Sequence, residues 1–409
     1  MMSTLRYGII GAGMMGREHI RNLLAMAAAS AADLEDGSDN QPAYRITALA
    51  DPHAASIDNA LADIAGRYVF SGGTGMKDEG SASRGQRGPA PMVFADAPSL
   101  LASGLCDAVV VSTPNFTHAR VLDLIFDCYP NMHVLVEKPL ATTVEDALRI
   151  TQRAAAHRGI VWVGLEYRFM PPVARFLEEA PNVGRLHMVS IREHRFPFLP
   201  KVGDWNRFSA NTGGTLVEKC CHFFDLMNLA VSSASPGARP ARVMASGGQN
   251  VNHLDERYVG NPTGERPDIL DNAYVIVEYT NGVRAMLDLC MFAEASVNEQ
   301  ELCAVGSAGK VEAFVPSGLV RVGRRAPLKN GYPQSGDITE IDAAHDPRVK
   351  HGGFHHGSSY LEHLAFGEAV SNGSAPEVKV EDGLWSVVVG LAAHRSIDER
   401  RPVDIAELL

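Results

Sequence analysis

The sequence predicts a doubly wound, parallel α/β sheet of the Rossmann type in its first half and an α+β unit with a large, mainly antiparallel sheet in its second half. The chain has 409 residues, which is longer than one ordinary domain. Up to about residue 166, short β-branched runs alternate with helical patterns, as in βαβ units. Beyond that point, strand patterns follow one another through turns. We therefore expect two domains, at residues 1–166 and 167–409.

Six apolar runs of the first half are predicted to be the parallel strands. The segments between them carry the apolar repeat of helices that cover a sheet, as at 13–29 and 144–158. The predicted strands span residues 5–10, 45–50, 92–94, 107–111, 133–136 and 160–163.

The second half has the alternating pattern of antiparallel strands. Its clearest signal is the Asn281-Gly282 pair between the runs 272–280 and 283–292, since Asn-Gly favours a tight hairpin. Further strands are predicted at 185–192, 241–246, 301–305, 311–315 and 319–322, and helices that cover one sheet face at 214–229, 360–370 and 385–397.

Two segments look inserted. Residues 71–91 are rich in Gly and Ser and poor in apolar residues, so burial cannot offset the entropy of ordering them, and we expect a mobile loop. Residues 31–42 are acidic and are expected to extend the connection after the first helix.

Composition favours a small-molecule partner. The chain has 37 Lys and Arg against 48 Asp and Glu, a net charge of -11, which gives no general attraction to nucleic acid or an anionic membrane. The six cysteines show no repeated spacing, so a disulfide framework or a Cys-x-x-Cys zinc site is not expected. Without room for a signal peptide before the first strand, and without a long apolar run, we expect a cytoplasmic protein.

A glycine motif directly after the first strand predicts a dinucleotide site. Gly11, Gly13 and Gly16 form G-x-G-x-x-G between that strand and the first helix. The first glycine permits the tight turn, the second lets the pyrophosphate approach, and the third allows close helix packing. The residues between them, Met14 and Met15, open the helix, whose N-terminus attracts the phosphates.

Polar residues at the ends of later strands extend this site. Asp51 ends the second strand, where a carboxylate would bind the adenosine ribose hydroxyls and repel a 2'-phosphate, which favours NAD over NADP. The alternative is a helix cap in an Asp-Pro sequence. Thr113, Pro114 and Asn115 follow the fourth strand at the same edge. His118 is either a cofactor contact or a capping or core histidine.

Two groups of residues could carry proton chemistry. Glu137 and Lys138 end the fifth strand, where Lys138 could stabilise an alkoxide, unless they are a surface ion pair. In the predicted helix 214–229, Glu218 lies four residues before His222 and Asp225 three after it, so either carboxylate could orient the imidazole of a general base. The alternative for His222 is a core histidine.

Metal binding is not expected. Cys220 and Cys221 are better explained as small buried residues. His351, His355 and His356 match no standard zinc spacing and suit contacts from a substrate loop better.

Taken together in chain order, these motifs resemble the glucose-fructose oxidoreductase, inositol dehydrogenase and rhizopine-catabolism family (Gfo/Idh/MocA) over nearly the whole chain. The resemblance is carried by residues 11–16, Asp51, 113–115 with His118, 137–139, 167–169 with Pro171, 213–214, and His222 with Asp225.

The resemblance implies an N-terminal Rossmann domain, a C-terminal α+β domain whose open sheet packs in oligomers, and a substrate between the domains. It implies that Lys138 is the active-site lysine, that His222 is the base or acid and that Arg168 lies near the cofactor. Glu218 takes the position of a usual Asp, and its added methylene moves the carboxylate. A homodimer or homotetramer is expected.

The function that follows is a hydride transfer between NAD and a hydroxyl-bearing carbon of a sugar, inositol or related polyol. Two alternatives stay open: a redox glycosidase that keeps its NAD through each turnover, and a non-catalytic protein that senses dinucleotides. The predicted catalytic residues are Lys138, His222 and Glu218, and the predicted cofactor contacts are Gly11, Gly13, Met14, Met15, Gly16, Asp51, Thr113, Pro114, Asn115, His118, Glu137, Lys138 and Arg168.

Overall fold

The first half of the chain folds around a parallel sheet. The computed structural model describes residues 4–32, 43–67, 86, 88–258, 266–332 and 334–409. Within these residues the strands are β1 Leu5–Ile10, β2 Tyr44–Ala50, β3 Met92–Phe94, β4 Ala108–Val111, β5 His133–Glu137 and β6 Val161–Gly164. Their order is β3-β2-β1-β4-β5-β6, and all pair in parallel. The order reverses between β1 and β4, which opens a crevice at the carboxyl ends of the strands.

Helices connect these strands. They are α1 Met14–Ala32, α2 Ala54–Ile64, α3 Ala97–Ala102, α4 His118–Cys128 and α5 Val144–Ala154. The α5 helix shows why they form here. Thr143 caps its N-terminus by accepting a hydrogen bond from the backbone N–H of Asp146, and Ala147 and Ile150 bury the apolar face against the sheet. This helix ends at Ala154, earlier than the predicted residue 158.

The second half contains a larger sheet, which confirms the predicted α+β architecture. Its described strands are β7 Leu186–His194, β8 Pro240–Gly248, β9 Asn272–Tyr279, β10 Arg284–Cys290, β11 Gln300–Gly306, β12 Gly309–Val315, β13 Leu319–Arg324, β14 Asp337–Asp342 and β15 Val403–Asp404. Their order is β14-β13-β12-β11-β7-β10-β9-β8-β15. The central pair β7 and β10 is parallel, and the other neighbours are antiparallel.

The predicted Asn-Gly hairpin joins β9 to β10. Gly282 has a φ of 84°, a value that favours glycine, and the side chain of Asn281 accepts a hydrogen bond from the backbone N–H of Val283. The predicted hairpin is therefore confirmed, with β9 and β10 paired in antiparallel from Glu278 and Arg284 onward.

One predicted helix is divided in two. Within the segment 214–229 the helix is interrupted at Lys219 and Cys220, and Cys220 has φ and ψ of -86° and -4°. Two helices result, separated by Lys219 and Cys220. The described helices of this half are α6 Pro171–Glu179, α7 Ser209–Thr212, α8 Thr215–Glu218, α9 Cys221–Ala234, α10 Ser358–Asn372 and α11 Val380–Glu399.

The second sheet has one covered face and one open face. Val275 and Leu287 are buried on the side where α9 and α11 pack. On the other side Met244, Ile276 and Met286 stand in register across β8, β9 and β10, and the two methionines are 48% and 40% exposed.

Two predicted insertions fall largely outside the described ranges, and the predicted domain boundary falls inside them. The predicted loop at 71–91 lies outside them except for residues 86 and 88–91, and the predicted extension at 31–42 lies outside them except for 31–32. The two sheets lie on opposite sides of the predicted domain boundary at 166/167, which stays a prediction in its exact position.

Candidate active site

Three glycines shape the turn between β1 and α1. Gly11 has a φ of 94°, and a Cβ atom on it would lie 2.6 Å from the carbonyl oxygen of Ser112. A Cβ atom on Gly16 would lie 2.0 Å from the carbonyl oxygen of Gly11, so the close approach of helix and strand requires glycine there. Gly13 has no heavy atom of the described residues within 4 Å of such a position. This space lets a pyrophosphate reach the backbone at the helix N-terminus.

Asp51 has a structural contact as well as a place in the cleft. Its Oδ2 accepts a hydrogen bond from the backbone N–H of Ala12 at 2.7 Å, and its Oδ1 accepts one from that of His53 at 2.8 Å. The carboxylate thus holds the glycine turn and the residue that precedes α2. A carboxylate offers about four lone-pair sites, so Asp51 keeps acceptor capacity for ribose hydroxyls. The ribose contact stays a prediction.

A cleft of about 760 Å³ follows the carboxyl ends of β1, β2, β4 and β5. The wall that the first half of the chain contributes contains most of the predicted cofactor contacts. They are Gly11, Gly13, Met14, Met15, Asp51, Thr113, Pro114, Asn115, Glu137 and Lys138. The residues present therefore fit a bound dinucleotide.

The opposite wall comes from the second half of the chain, and sequence reasoning identified Glu218 in it but missed Lys201 and Trp205. Lys201 and Trp205 line the cleft there, together with Glu218. The Trp205 ring contacts Phe116 of the first half edge-on, with ring centroids 6.5 Å apart. Burial lowers the pKa of Lys201 to about 8, while Glu218 opposes this shift. Lys201 and Trp205 belong to no motif or repeat by which the sequence alone could have identified them.

Lys138 presents a positive charge at the floor of the cleft. Its Nζ donates a hydrogen bond to the backbone carbonyl of Glu218 at 3.3 Å. Burial works against the charge, but the acidic groups of Cys221, Glu137 and Glu166 outweigh it and raise the pKa of Lys138 above its ordinary value. Lys138 is therefore an ammonium at neutral pH.

The neighbouring Glu137 is held by a buried histidine pair. Its Oε1 lies 2.8 Å from Nε2 of His19, and Nδ1 of His19 lies 2.8 Å from Nε2 of His363. Burial opposes its charge, but the hydrogen bond and charge of His19 lower the pKa of Glu137. Glu137 thus lines the cleft as a fixed negative charge beside Lys138.

His222 lies in the first turn of α9 and is 2% exposed. Its ring stacks on Tyr167, with centroids 4.0 Å apart and planes inclined by 8°. Burial, followed by the charges of Lys138 and Lys219, lowers the pKa of His222 well below its ordinary value. The ring is therefore neutral at neutral pH, and His222 is not among the residues that line the cleft.

The two carboxylates that were predicted to orient His222, those of Glu218 and Asp225, have other contacts in the structure. Because the helix breaks, Glu218 is not on the helix of His222, and no described hydrogen bond joins the ring to Glu218 or to Asp225. Glu218 lines the cleft, and burial raises its pKa against the charge of Lys138. The carboxyl group near the ring is instead that of Glu166, with Oε1 at 3.8 Å from Nε2 of His222.

Lys219 anchors the ring that packs on His222. Its Nζ donates a hydrogen bond to the hydroxyl of Tyr167 at 2.7 Å and lies 2.9 Å from Oε1 of Glu193. Gln300 donates to the other oxygen of Glu193 at 2.7 Å. Burial, with the charge of Arg195, lowers the pKa of Lys219 to about 8. This buried network fixes the Tyr167 ring against His222.

Arg168 is buried and paired within the protein, and its predicted cofactor contact stays a prediction. Its guanidinium, 5% exposed, makes two hydrogen bonds to the carboxylate of Asp225 and lies 3.1 Å from Oδ2 of Asp382. It also donates to the carbonyl of Glu377 at 3.2 Å. Arg168 lies in the short 3-10 helix Glu166–Phe169 after β6, and its contacts join this helix to α9 and α11. It is not among the residues that line the cleft.

His118 is likewise a structural residue. It is fully buried, with Nδ1 2.8 Å from the carbonyl oxygen of Pro139 and Nε2 2.9 Å from that of Thr113. Burial lowers its pKa. Its ring bridges the loops after β4 and β5 from behind, so the predicted cofactor contact gives way to the capping or core alternative.

Glu166 was missed as a site residue, whereas His355 belongs to the histidines that the sequence assigned to contacts from a substrate loop. Glu166 follows β6 and is 2% exposed, and His355 Nδ1 lies 3.5 Å from its Oε1. Burial, together with the charge of Glu137, raises the pKa of Glu166 to about 8. Among the described residues, no group of three or more His, Cys, Asp or Glu side chains could hold a metal ion.

The fold and the cleft define an NAD-binding oxidoreductase with a Rossmann domain and a second α/β domain. Residues 5–165 match the description "Oxidoreductase family, NAD-binding Rossmann fold", and residues 179–405 match "Oxidoreductase family, C-terminal alpha/beta domain". The chain belongs to this family, Gfo/Idh/MocA, and its cofactor is NAD.

Its relatives are distant in sequence and close in fold. The chain is 26% identical to the myo-inositol 2-dehydrogenase of Thermotoga maritima over 321 residues, covering 77% of this chain and 85% of that one. It is 28% identical to the rhizopine catabolism protein MocA of Rhizobium meliloti over 229 residues, 55% and 57% of the two chains. The structure of a levoglucosan dehydrogenase with NADH and levoglucosan matches with a TM-score of 0.75 at 18% identity, covering 98% and 100%.

The described part of the chain contains no helix that is long and apolar enough to cross a membrane.

Proposed function

We propose that this oxidoreductase transfers a hydride between NAD and a hydroxyl-bearing carbon of a sugar, inositol or related polyol. The observation that carries the proposal is the position of Lys138, which lines the cleft beside Glu137 and Glu218 and donates a hydrogen bond to the backbone carbonyl of Glu218. His222 is buried behind this lining, close enough for the charge of Lys138 to act on its ring. Relatives named inositol dehydrogenase and levoglucosan dehydrogenase support this substrate class.

The two groups would divide the work on one substrate hydroxyl. Lys138, protonated at neutral pH, would donate a hydrogen bond to the hydroxyl oxygen and stabilise the negative charge that develops on it. His222, neutral at that pH, would accept the hydroxyl proton. When bound, NAD supplies the hydride acceptor, C4 of its nicotinamide. In the reductive direction His222 would return the proton.

Glu218 would act through Lys138. Its backbone carbonyl accepts the hydrogen bond of the ammonium, and its carboxyl group lines the cleft opposite the glycine turn. We assign it a positioning role in place of the predicted orientation of His222. Asp51 would favour NAD over NADP, since its carboxylate at the cleft would repel a 2'-phosphate.

The proposal is tested by steady-state kinetics with a panel of polyols, inositols and glycosides. Lys138→Met and His222→Ala should each lower kcat by about 10² to 10⁴, the usual loss for a positioned acid or base. The Kd for NAD should change far less. The double variant should lose less than the product of the single losses, since both groups serve one proton transfer. The exposed Lys310→Met on β12 is the matched control.

Three outcomes would contradict the proposal. Near-wild-type turnover of His222→Ala would assign the base elsewhere. Release of free sugar without net NADH would favour a redox glycosidase. Binding of NAD without turnover of any substrate in the panel would favour a dinucleotide sensor.

A homo-oligomer would use the open face of the second sheet. Met244, Ile276 and Met286 form an apolar row across three neighbouring strands, and Tyr274, 62% exposed, extends it. Apolar patches of this kind in an otherwise polar surface mark contact sites. We assign a second copy of this chain to the face, as a dimer or part of a tetramer.

A further inference from the structure

A lysine without a partner lines the cleft. Lys201 comes from the second half of the chain, and the charges that act on it are those of Glu218, Lys138 and Glu137, which line the same cleft. Its ammonium makes no hydrogen bond or ion pair with any of the described residues. Such a position is unfavourable for an ammonium, because it has lost part of its hydration and gained no acceptor. The cleft therefore holds an unused cation close to Lys138.

The loop that carries Lys201 is held in place on both sides of the cleft. The side chain of Asn206 is buried, and its Nδ2 donates a hydrogen bond to the backbone carbonyl of Leu199 at 3.0 Å. Trp205, in the same loop, packs edge-on against Phe116 of the first half of the chain. Lys201 is thus presented to the cleft by a fixed segment, as a residue that selects a ligand has to be.

Glu218 supplies a second unsatisfied group in the same wall. It is 5% exposed and lines the cleft, and its Oε2 is buried without a hydrogen-bond partner among the described residues. Burial raises the pKa of Glu218, so its carboxyl group takes up a proton more readily than an ordinary glutamate does. The protonated form donates a hydrogen bond. An ammonium and a carboxyl O–H in one wall both call for an acceptor.

The positive charge at this place contrasts with the net charge of the chain, which is -11. Four cationic side chains act on the carboxyl group of Glu218. They are Lys138, Lys201, Arg207 and Lys219. The nearby carboxylate of Glu137 is already bound to His19, and the lining residues Asp51 and Asp96 follow β2 and β3, at least three strands away from β5. A cleft with a local excess of positive charge attracts anionic ligands.

We propose that Lys201 and Glu218 bind an acidic group of the substrate, a carboxylate or a phosphate, while Lys138 binds the hydroxyl that reacts. The substrate is then an acidic sugar or polyol and not a neutral one. This inference rests on the proposed function, because it takes Lys138 as the group that meets the reacting hydroxyl. Nζ of Lys138 lies 3.3 Å from the backbone carbonyl oxygen of Glu218, so one small molecule can reach both places.

The experiment uses matched pairs of substrates, in which each aldose is compared with its uronate and with its terminal phosphate ester. The parameters kcat and KM are measured with NAD for wild type, Lys201→Met and the control Lys310→Met. Wild type and the control should prefer an acidic member by about 10- to 100-fold in kcat/KM, the worth of a hydrogen bond to a charged group. The larger of the two preferences identifies the acidic group as carboxylate or phosphate.

In Lys201→Met the preference should disappear through a higher KM for the acidic member, with kcat nearly kept, because Lys201 binds the substrate and takes no part in the proton transfer. Lys138→Met should instead lower kcat for both members of a pair. The urea midpoint of Lys201→Met should equal that of wild type, since its ammonium has no partner among the described residues.

Three results would overturn the inference. They are a wild-type preference for the neutral member of every pair, an acid preference that persists in Lys201→Met, and a loss of NAD affinity in Lys201→Met as large as the loss of acid preference, which would assign Lys201 to the cofactor phosphates. Calorimetric titration of the protein with NADH present, using a uronate and its aldose, repeats the comparison without turnover. Absence of turnover with every pair would refute the proposed function, and tighter binding of the uronate that depends on Lys201 would still support the acidic site.

Discussion

The most informative single substitution is Arg168→Met, because sequence and structure assign this residue different roles. The guanidinium forms a bidentate contact with Asp225, and both side chains are buried, 5% and 2% exposed. Breaking a buried pair by removing one partner destabilises by about 3–5 kcal/mol, since a charge is left without compensation. The carbonyl of Glu377 and the carboxylate of Asp382 lose a donor as well.

The destabilisation should depend on pH through Asp225. Burial raises the pKa of Asp225 to about 6 from 3.8, and the charge of Arg168 opposes this rise. A carboxyl group with a raised folded pKa favours folding most below its unfolded pKa, and this contribution is lost as pH rises through the folded value. Without Arg168 the pKa of Asp225 rises further. The loss in the free energy of unfolding of the variant, relative to wild type, is therefore greatest above about pH 6.

Urea unfolding at about pH 5 and pH 8, with NAD titrations at both, measures these effects. The free energy of unfolding of Arg168→Met should fall further below that of wild type at the higher pH. Its Kd for NAD should stay near that of wild type. The double variant Arg168→Met/Asp225→Leu should recover part of the stability, because an apolar pair replaces the orphaned carboxylate. A normal unfolding free energy with a large loss of NAD affinity would refute the structural role and restore the cofactor contact.

Three further predictions concern the cofactor, the buried network and the assembly. Asp51→Ala should narrow the preference for NAD over NADP by removing charge repulsion, and titration of both cofactors checks it; a wild-type preference for NADP would contradict the assignment. Lys219→Met should lower the free energy of unfolding by about 3 kcal/mol, because Glu193 is fully buried and loses its closest cation; an unchanged urea midpoint would argue against the network. Met286→Lys, which adds charge to the open sheet face, should yield a monomer in light scattering, and a monomeric wild type would refute the proposed interface.

Local patterns were sufficient for the first domain. The strand predicted at 5–10 is β1 without change, because four of its six residues are buried and the glycine motif fixes where it must end. The glycines at positions 11 and 16 could be interpreted from the sequence, because a side chain at either position would clash with the backbone of the turn. Most of the predicted cofactor contacts therefore lie along the cleft, and their contacts with NAD stay predictions.

Strands without an apolar face could not be predicted from the pattern of apolar residues. The edge strand β14 has four acidic or threonine side chains and no fully buried residue, so it lacks the alternation that marks a half-buried strand. The strand β15 spans two residues, which is too short for any periodic signal. Both are recognised only through their pairing with β13 and β8.

The features of the site that the sequence did not predict come from contacts distant in sequence. Arg168 meets Asp225 across 57 positions, a pairing that motif reasoning replaced with a family role. The apolar repeat across 214–229 concealed the break at Cys220, which removed the presumed link between Glu218 and His222. Glu166 carries no local sign that its carboxyl group is buried, and only the packing of β6 against the second domain reveals it.

The central claim is that the substrate's own hydrogen moves to NAD with Lys138 and His222 handling the hydroxyl. An accepted polyol carrying deuterium at the reacting carbon tests this directly, with the NADH analysed by mass spectrometry. We predict NADH with one deuterium at C4 of the nicotinamide, formed at similar rates by wild type and Lys310→Met and about 10² to 10⁴ times more slowly by Lys138→Met. NADH without deuterium, or unchanged deuterium transfer in Lys138→Met, would contradict the account.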